Sequence, residues 1–345
     1  MRFGIIGSGS WATALAKILT DNKISINWWV RNEAVIKHLQ HRHHNPHYLS
    51  SVYFDISQLS LTNDMNKIIA ASDCLVIAVP SAYIDQTFKN LSKNIFTEKK
   101  LISAVKGILP DQNLLLNDYL KNEFGFPLSD YVTVMGPCHA EEVAAEKLSY
   151  LTFSGTDQTA TANIASNFST EYLNIILNND VYGVQYAAVL KNIYALGAGM
   201  AHGLEYGDNF LSVLIANCAD EMAGFLRKVG ISHIEVGIHD EEDTVSHKRS
   251  TNYAASAYLG DLLVTCYSLY SRNRTFGNMI GKGYSVKVAQ LELNMVAEGH
   301  NASKCIYMIN RNVNASMPIA ETVYKILWEN VKVQEGFKQI ETVLV

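Results

Sequence analysis

Short apolar runs separated by stretches of helical period fill the first half of the chain. The runs are residues 3–6, 25–30, 73–80, 100–105, 131–135 and a fragment at 152–154. Residues 73–80 read Asp-Cys-Leu-Val-Ile-Ala-Val-Pro, almost without a polar position, as a parallel strand buried on both faces should. Helical spacing follows the first run at 14–19 and recurs at 82–91. Such alternation predicts an α/β architecture with a doubly wound, mostly parallel sheet of the Rossmann type. Beyond about residue 180 the period changes. Residues 184–200, 211–229 and 322–333 repeat apolar side chains every three to four positions, which predicts an all-helical C-terminal domain. The expected division is 1–180 and 181–345. Residues 236–252, rich in charge and histidine, read as a surface loop.

The first strand runs into Gly7-Ser8-Gly9-Ser10-Trp11-Ala12 and then directly into a helix. Strand, glycine turn and helix in that order hold a dinucleotide pyrophosphate. Gly7 permits the tight turn, Gly9 admits the phosphates to the backbone, and Ala12 is the third small position. The helix start adds N–H groups and the positive end of its dipole. An NAD-binding fold places an acidic residue at the end of its second strand. Arg31 stands there instead, which leans towards NADPH or towards use of both cofactors, with nearby Glu33 pulling the other way.

Length and composition narrow the classes. At 345 residues, 48% hydrophobic and 18% charged, the chain can bury a large core in two domains. The net charge of -5 and the absence of any lysine–arginine block argue against a nucleic-acid partner. Five cysteines with no CxxC pair point to a reducing compartment. No leader pattern precedes the first strand and no run of about 18 apolar residues occurs, so the expectation is a cytoplasmic protein without membrane insertion.

Candidate chemistry clusters at strand ends and in the helical half. Ser81, Lys106-Gly107 and residues 136–142 (Gly-Pro-Cys-His-Ala-Glu-Glu) follow three of the apolar runs, at the edge where such sheets bind ligands. Lys191 and Asn192 lie inside an apolar helical run. A lysine there is ordinarily a side chain snorkelling from the core edge, but a desolvated lysine near a second cation exchanges protons near neutral pH. Asp261 and Thr265 are one helical turn apart. Ser271-Arg272-Asn273-Arg274 suits either a phosphate or a basic helix end at the surface.

Together these segments resemble the bacterial NAD(P)-dependent glycerol-3-phosphate dehydrogenases. The resemblance rests on Gly-Ser-Gly-Ser-Trp-Ala-Thr-Ala (7–14), Asn-Pro-His-Tyr-Leu (45–49), Val-Ile-Ala-Val-Pro-Ser (76–81) and Lys-Gly-Ile (106–108). It continues through Gly-Pro-Cys-His-Ala-Glu-Glu-Val (136–143), Leu-Lys-Asn-Ile-Tyr-Ala-Leu-Gly-Ala-Gly (190–199), Gly-Asp-Leu (260–262) with Thr265, residues 271–274 and Val-Ala-Glu-Gly (296–299). It implies reduction of dihydroxyacetone phosphate to sn-glycerol 3-phosphate for phospholipid synthesis. By position it implies that Gly7, Gly9, Ser10, Trp11, Arg31, Lys106, Ala140, Arg272, Val296 and Glu298 meet the cofactor. Lys191 becomes the general acid–base, with Lys106, Asn192, Asp261 and Thr265 as its catalytic company. Lys106, Gly136, Cys138, Lys191, Asp261, Ser271, Arg272 and Asn273 become the substrate contacts.

The resemblance also bears on the tract His38, His41, His43, His44 and His47, a composition that can bind metal. The family has a metal-free loop there, so no metal is expected. The chain departs from the family at Cys138-His139, where Ser or Thr and then Phe are usual, and around 234–258, which is longer and more polar. Two other readings are a sister reductase of small keto acids and a non-catalytic NAD(P) sensor. The helical half offers apolar surface for a homodimer as readily as for its own core.

Overall fold

The computed structural model describes residues 1–231, 254–293 and 297–345. The surface loop expected at 236–252 and the cofactor contact expected at Val296 lie outside the described residues. The chain separates into two compact units, residues 1–109 with 114–181, and residues 110–113 with 182–345.

The first unit is an eight-stranded sheet. Its strands are β1 (Phe3–Ile6), β2 (Ile26–Trp29), β3 (Leu59–Thr62), β4 (Cys74–Ile77), β5 (Lys100–Ser103), β6 (Tyr131–Met135), β7 (Ser149–Gly155) and β8 (Leu173–Asn178), in the order β3-β2-β1-β4-β5-β6-β7-β8. Phe3 lies beside Ile26 on one side and Cys74 on the other. Neighbours are parallel except β6 and β7, which run antiparallel with Val132 opposite Gly155. The chain moves outward from β1 to β3 and returns to β4, so the topological switch falls between β1 and β4, where sheets of this kind open a crevice. Helices α1 (Ser10–Asp21), α2 (Glu33–Arg42), α3 (Met65–Ala71), α4 (Ile84–Phe88), α5 (Leu116–Phe124), α6 (Ala140–Ala144) and α7 (Gln158–Ala165) connect the strands. Asn32, Asp64 and Asp157 cap α2, α3 and α7 with side-chain acceptors. Two apolar clusters form the core. One gathers Trp28, Phe54, Phe153 and Phe168 with α1, the other Phe88, Phe96, Tyr119 and Phe126 with α4 and α5. Burying each such ring contributes about 2 kcal/mol.

Strands β3 and β8 are not among the apolar runs. Both are sheet edges and keep partly exposed side chains, so their patterns are weak. The helix expected over 82–91 shrinks to a 3-10 turn at Ser81–Tyr83 followed by the short α4.

The second unit is helical throughout its described residues. It comprises α8 (Val181–Gly203), α9 (Asp208–Lys228), α10 (Asp261–Tyr267), α11 (Arg272–Gly281), α12 (Val286–Leu293), α13 (Glu298–Val313), α14 (Pro318–Trp328) and α15 (Val333–Val343), with a wide π turn at Ala254–Gly260 ahead of α10. From Val184 onward α8 is apolar and buried nearly all round, as a central helix must be. It packs on α11 along a seam without side chains. A Cβ placed on Gly199, Gly203, Gly277 or Gly281 would fall inside van der Waals contact of Arg274, Asn278, Leu196 or Met200 backbone oxygens respectively. The run expected over 322–333 divides, because Asn330 takes a left-handed φ of 58° and the chain turns before α15.

One buried carboxylate ties three helices. Glu221 of α9 accepts from the backbone N–H of Ile319 at 2.8 Å and Ala320 at 2.9 Å, at the start of α14, and from the Tyr194 hydroxyl of α8 at 3.2 Å. Burial pushes its pKa up to about 7 against the pull of these three donors. Among the described residues no helix is long and apolar enough to cross a membrane.

Candidate active site

In the first unit the candidate site is built mainly from backbone. Gly7 follows β1 with φ of 125°, and a Cβ there would meet the Ala78 carbonyl at 2.5 Å, so only glycine lets the turn pass over the end of β4. Gly9 is the N-cap of α1, with open space where its Cβ would point and no side-chain cap on the helix. The first turn of α1 therefore offers its N–H groups and dipole to an anion. Ser10 is buried in that turn. The Trp11 ring lies under the Lys106 ammonium, 4.8 Å from the ring centroid, and its Nε1 is buried without an acceptor. Open glycine, uncapped helix and orphaned indole donor all fit a dinucleotide phosphate. Arg31 is exposed just past β2, while Glu33 is engaged by Lys37 at 3.2 Å. Past β6, Gly136 takes φ of 123° against the Tyr150 carbonyl. Cys138 and Ala140 are buried at the head of α6.

In the second unit the candidate site is built from side chains. Lys191 on α8 is 4% exposed and ion-paired with Asp261, the first residue of α10. The snorkelling lysine that spacing favours is thus replaced by a buried ion pair, because α10 brings a carboxylate to the ammonium before it can reach water. Asp261 uses Oδ1 for the lysine, while its Oδ2 is buried without a donor. Thr265 lies one turn on and donates to the Asp261 carbonyl at 2.5 Å. Cys266, beside the pair, is a neutral thiol that burial pushes up to about 12 despite the lysine's pull.

A second polar chain runs alongside. Asn273 Nδ2 donates to Asn192 Oδ1 at 2.9 Å, and Asn273 Oδ1 accepts from the Gly299 N–H at 3.0 Å. Ser271 caps α11 by accepting from the Arg274 N–H at 3.3 Å, which leaves its own O–H able to donate. Arg272 and Glu298 are half-buried at the first positions of α11 and α13. The second unit thus gathers Lys191, Asn192, Asp261, Thr265, Ser271 and Asn273, and the first unit holds Lys106, Gly136, Cys138 and Ala140 near the carboxyl ends of β5 and β6. Sequence patterns do not reveal Gly299 as the far end of the asparagine chain. Its partner lies 26 positions away and no local spacing announces the contact. In the histidine tract the His38 and His44 rings meet edge-on at 4.8 Å and His43 stacks on Tyr53. Among the described residues no group of three His, Cys, Asp or Glu is placed to hold a metal.

A doubly wound sheet with a glycine turn at its switch point, continued by a helical unit holding a buried lysine, defines a nicotinamide-dependent dehydrogenase. Residues 2–161 match the N-terminal model, and residues 180–338 the C-terminal model, of NAD-dependent glycerol-3-phosphate dehydrogenase. The chain belongs to this family. The glycerol-3-phosphate dehydrogenase (NAD(P)+) of Bacillus pumilus is 32% identical over 337 residues, spanning 97% of this chain and 92% of its own. The enzyme of the same name from Streptococcus equi subsp. zooepidemicus is 31% identical over 97% of this chain and 94% of its own. In fold, the chain matches the crystal structure of glycerol-3-phosphate dehydrogenase from Coxiella burnetii with a TM-score of 0.86, at 24% identity and 98% coverage of both chains.

Proposed function

We propose that this chain reversibly reduces dihydroxyacetone phosphate to sn-glycerol 3-phosphate with NADH or NADPH, supplying the glycerol unit of phospholipids. Residues 1–180 carry the cofactor and 181–345 the substrate with its proton donor. The bound nicotinamide supplies the hydride. The observation that carries this reading is the buried Lys191–Asp261 pair, with one carboxylate oxygen lacking a donor.

Reduction turns a carbonyl oxygen into an alkoxide. The Lys191 ammonium stabilises that charge and gives it a proton. Asp261 holds the ammonium through Oδ1, and its Oδ2 accepts the free hydroxyl of the substrate. Thr265 fixes the turn that presents Asp261. Asn273 orients Asn192 against the substrate, and Ser271, Arg272 and the second N–H of Asn273 take the phosphate. Lys106, Gly136, Cys138 and Ala140 receive the nicotinamide end. Arg31 meets the adenosine ribose and favours a 2′-phosphate, with Val296 and Glu298 as further cofactor contacts. The enzyme acts in the cytoplasm, as a homodimer.

The test is oxidation of NADH and of NADPH by dihydroxyacetone phosphate, with wild type beside Lys191→Ala. The expected result is turnover in the wild type and its loss in the folded variant. A wild type that binds either cofactor without turning over this substrate overturns the substrate assignment and returns the choice to another keto acid or a sensor.

A further inference from the structure

Three consecutive carbonyls of the glycine turn are held from behind. The indole Nε1 of Trp28 donates to the Gly7 carbonyl at 2.7 Å. The amide Nδ2 of Asn45 donates to the Ser8 carbonyl at 3.1 Å and to Thr13 Oγ1 at 2.9 Å. Thr13 Oγ1 in turn donates to the Gly9 carbonyl at 2.9 Å. Trp28, Asn45 and Thr13 are each 0% exposed. None of these donors is loosely placed. Trp28 packs edge-on against Phe54 with ring centroids 5.5 Å apart. Asn45 uses its Oδ1 to accept from the backbone N–H of His47 at 3.0 Å and Tyr48 at 3.3 Å, which anchors it in the loop after α2.

A trans peptide points its N–H opposite to its C=O, and no cis bond occurs among the described residues. Holding the Gly7 carbonyl on Trp28 therefore turns the Ser8 N–H away from the core. Holding the Ser8 carbonyl on Asn45 does the same for the Gly9 N–H. An anion is attracted by N–H groups and repelled by carbonyl oxygens. Glycine on either side of Ser8 leaves these peptide planes easy to rotate, so something must hold them in the anion-binding sense.

We infer that Trp28 and Asn45 are positioning residues for the cofactor diphosphate, clamping the Gly7–Gly9 peptides so that their N–H groups face the ligand. The inference rests on the dinucleotide reading of this turn and adds to it a cause for the turn's orientation. Neither side chain touches the cofactor. One comes from β2 and the other from the Asn-Pro segment, which nothing in the proposed chemistry otherwise uses.

Two variants test it by calorimetric titration with NADH and by hydrogen exchange at the Ser8 and Gly9 amides. Trp28→Phe keeps a ring against Phe54 and removes the donor with part of the ring volume, and NADH should bind about 5-fold more weakly. Asn45→Ala frees the Ser8 carbonyl and Thr13 together and should weaken binding about 10-fold or more. In both, exchange at Ser8 and Gly9 in the NADH-bound protein should quicken, while kcat at saturating cofactor stays within about twofold of wild type. A role confined to stability would lower Tm and leave the NADH affinity of the folded protein unchanged. Folded variants that bind NADH as tightly as wild type therefore overturn the clamp alone. If the wild type binds neither NADH nor NADPH, the cofactor reading fails and the clamp with it. Should Asn45→Ala not fold, Trp28→Phe decides by itself.

Discussion

In the first unit an anion is offered main chain, the N–H groups of a glycine turn and of an uncapped helix, with side chains working from behind. In the second unit the charge is carried by side chains, Lys191 against Asp261, with glycines letting the α8 and α11 backbones meet. The first arrangement is tuned by rotating peptides, and the N–H groups it offers lie within a few adjacent residues. The second is tuned by distance between helices and is assembled across the chain. Asn192 and Asn273, for example, are 81 positions apart. The two should therefore fail differently when altered.

The largest contrast is expected at the lysine. Lys191→Ala should lower kcat by about 10³-fold, the scale of a lost general acid, and leave NADH affinity unchanged. It should also lower stability by about 3 kcal/mol, because Asp261 is left buried without a counter-charge. Adding Asp261→Asn should recover most of the Tm and none of the turnover. Recovery of turnover would show that the pair is structural.

Glu221 isolates the helical unit from the chemistry. Its folded-state pKa near 7 lies above its ordinary value of 4.5. The protonated form is thus favoured by folding, so its contribution is fully present below about pH 4.5 and is lost as pH rises through about 7. The span corresponds to about 3 kcal/mol. Denaturant midpoints at pH 5 and pH 7.5 should differ in the wild type and converge in Glu221→Gln. An unchanged difference would assign the slope to other groups.

The two glycines separate folding from binding within one turn. Gly7→Ala meets both a forbidden φ and the Ala78 carbonyl, and should destabilise by about 2 kcal/mol while abolishing cofactor binding. Gly9→Ala has room for its methyl and should fold normally, with NADH affinity down about tenfold where the phosphates approach. Equal losses of stability in the two would contradict the geometry. Smallest is the effect at exposed Arg31. Arg31→Ala should lower NADPH affinity about 5-fold relative to NADH, read from paired titrations.

The same contrast explains which features are legible in the amino-acid sequence. Residues 7–14 carry their meaning locally, since turn, approach and helix start occupy adjacent positions. The buried strands β1, β4, β5 and β6 show as apolar runs for the same reason. Edge strands β3 and β8 do not, because most of their side chains stay only partly buried. Lys191 by spacing alone reads as a snorkelling lysine. What makes it a buried ion pair is Asp261 on another helix, and only resemblance to a family joins the two in sequence. The tasks of Trp28 and Asn45 are equally hidden. A tryptophan in a strand reads as core, and its donor direction is decided by where the glycine turn passes.

The seam between α8 and α11 sets a scale for the rest. Gly199, Gly203, Gly277 and Gly281 touch no ligand, yet they hold two helices at backbone contact and thereby set Asn273 within reach of Asn192. Any side chain inserted there would push the helices apart and lengthen that bond. In a saturation survey of this protein, the seam should look as intolerant as the lysine itself. Intolerance to substitution at these positions would be a measure of calibration, and a map of the chemistry drawn from intolerance alone would place part of the active site where there is only spacing.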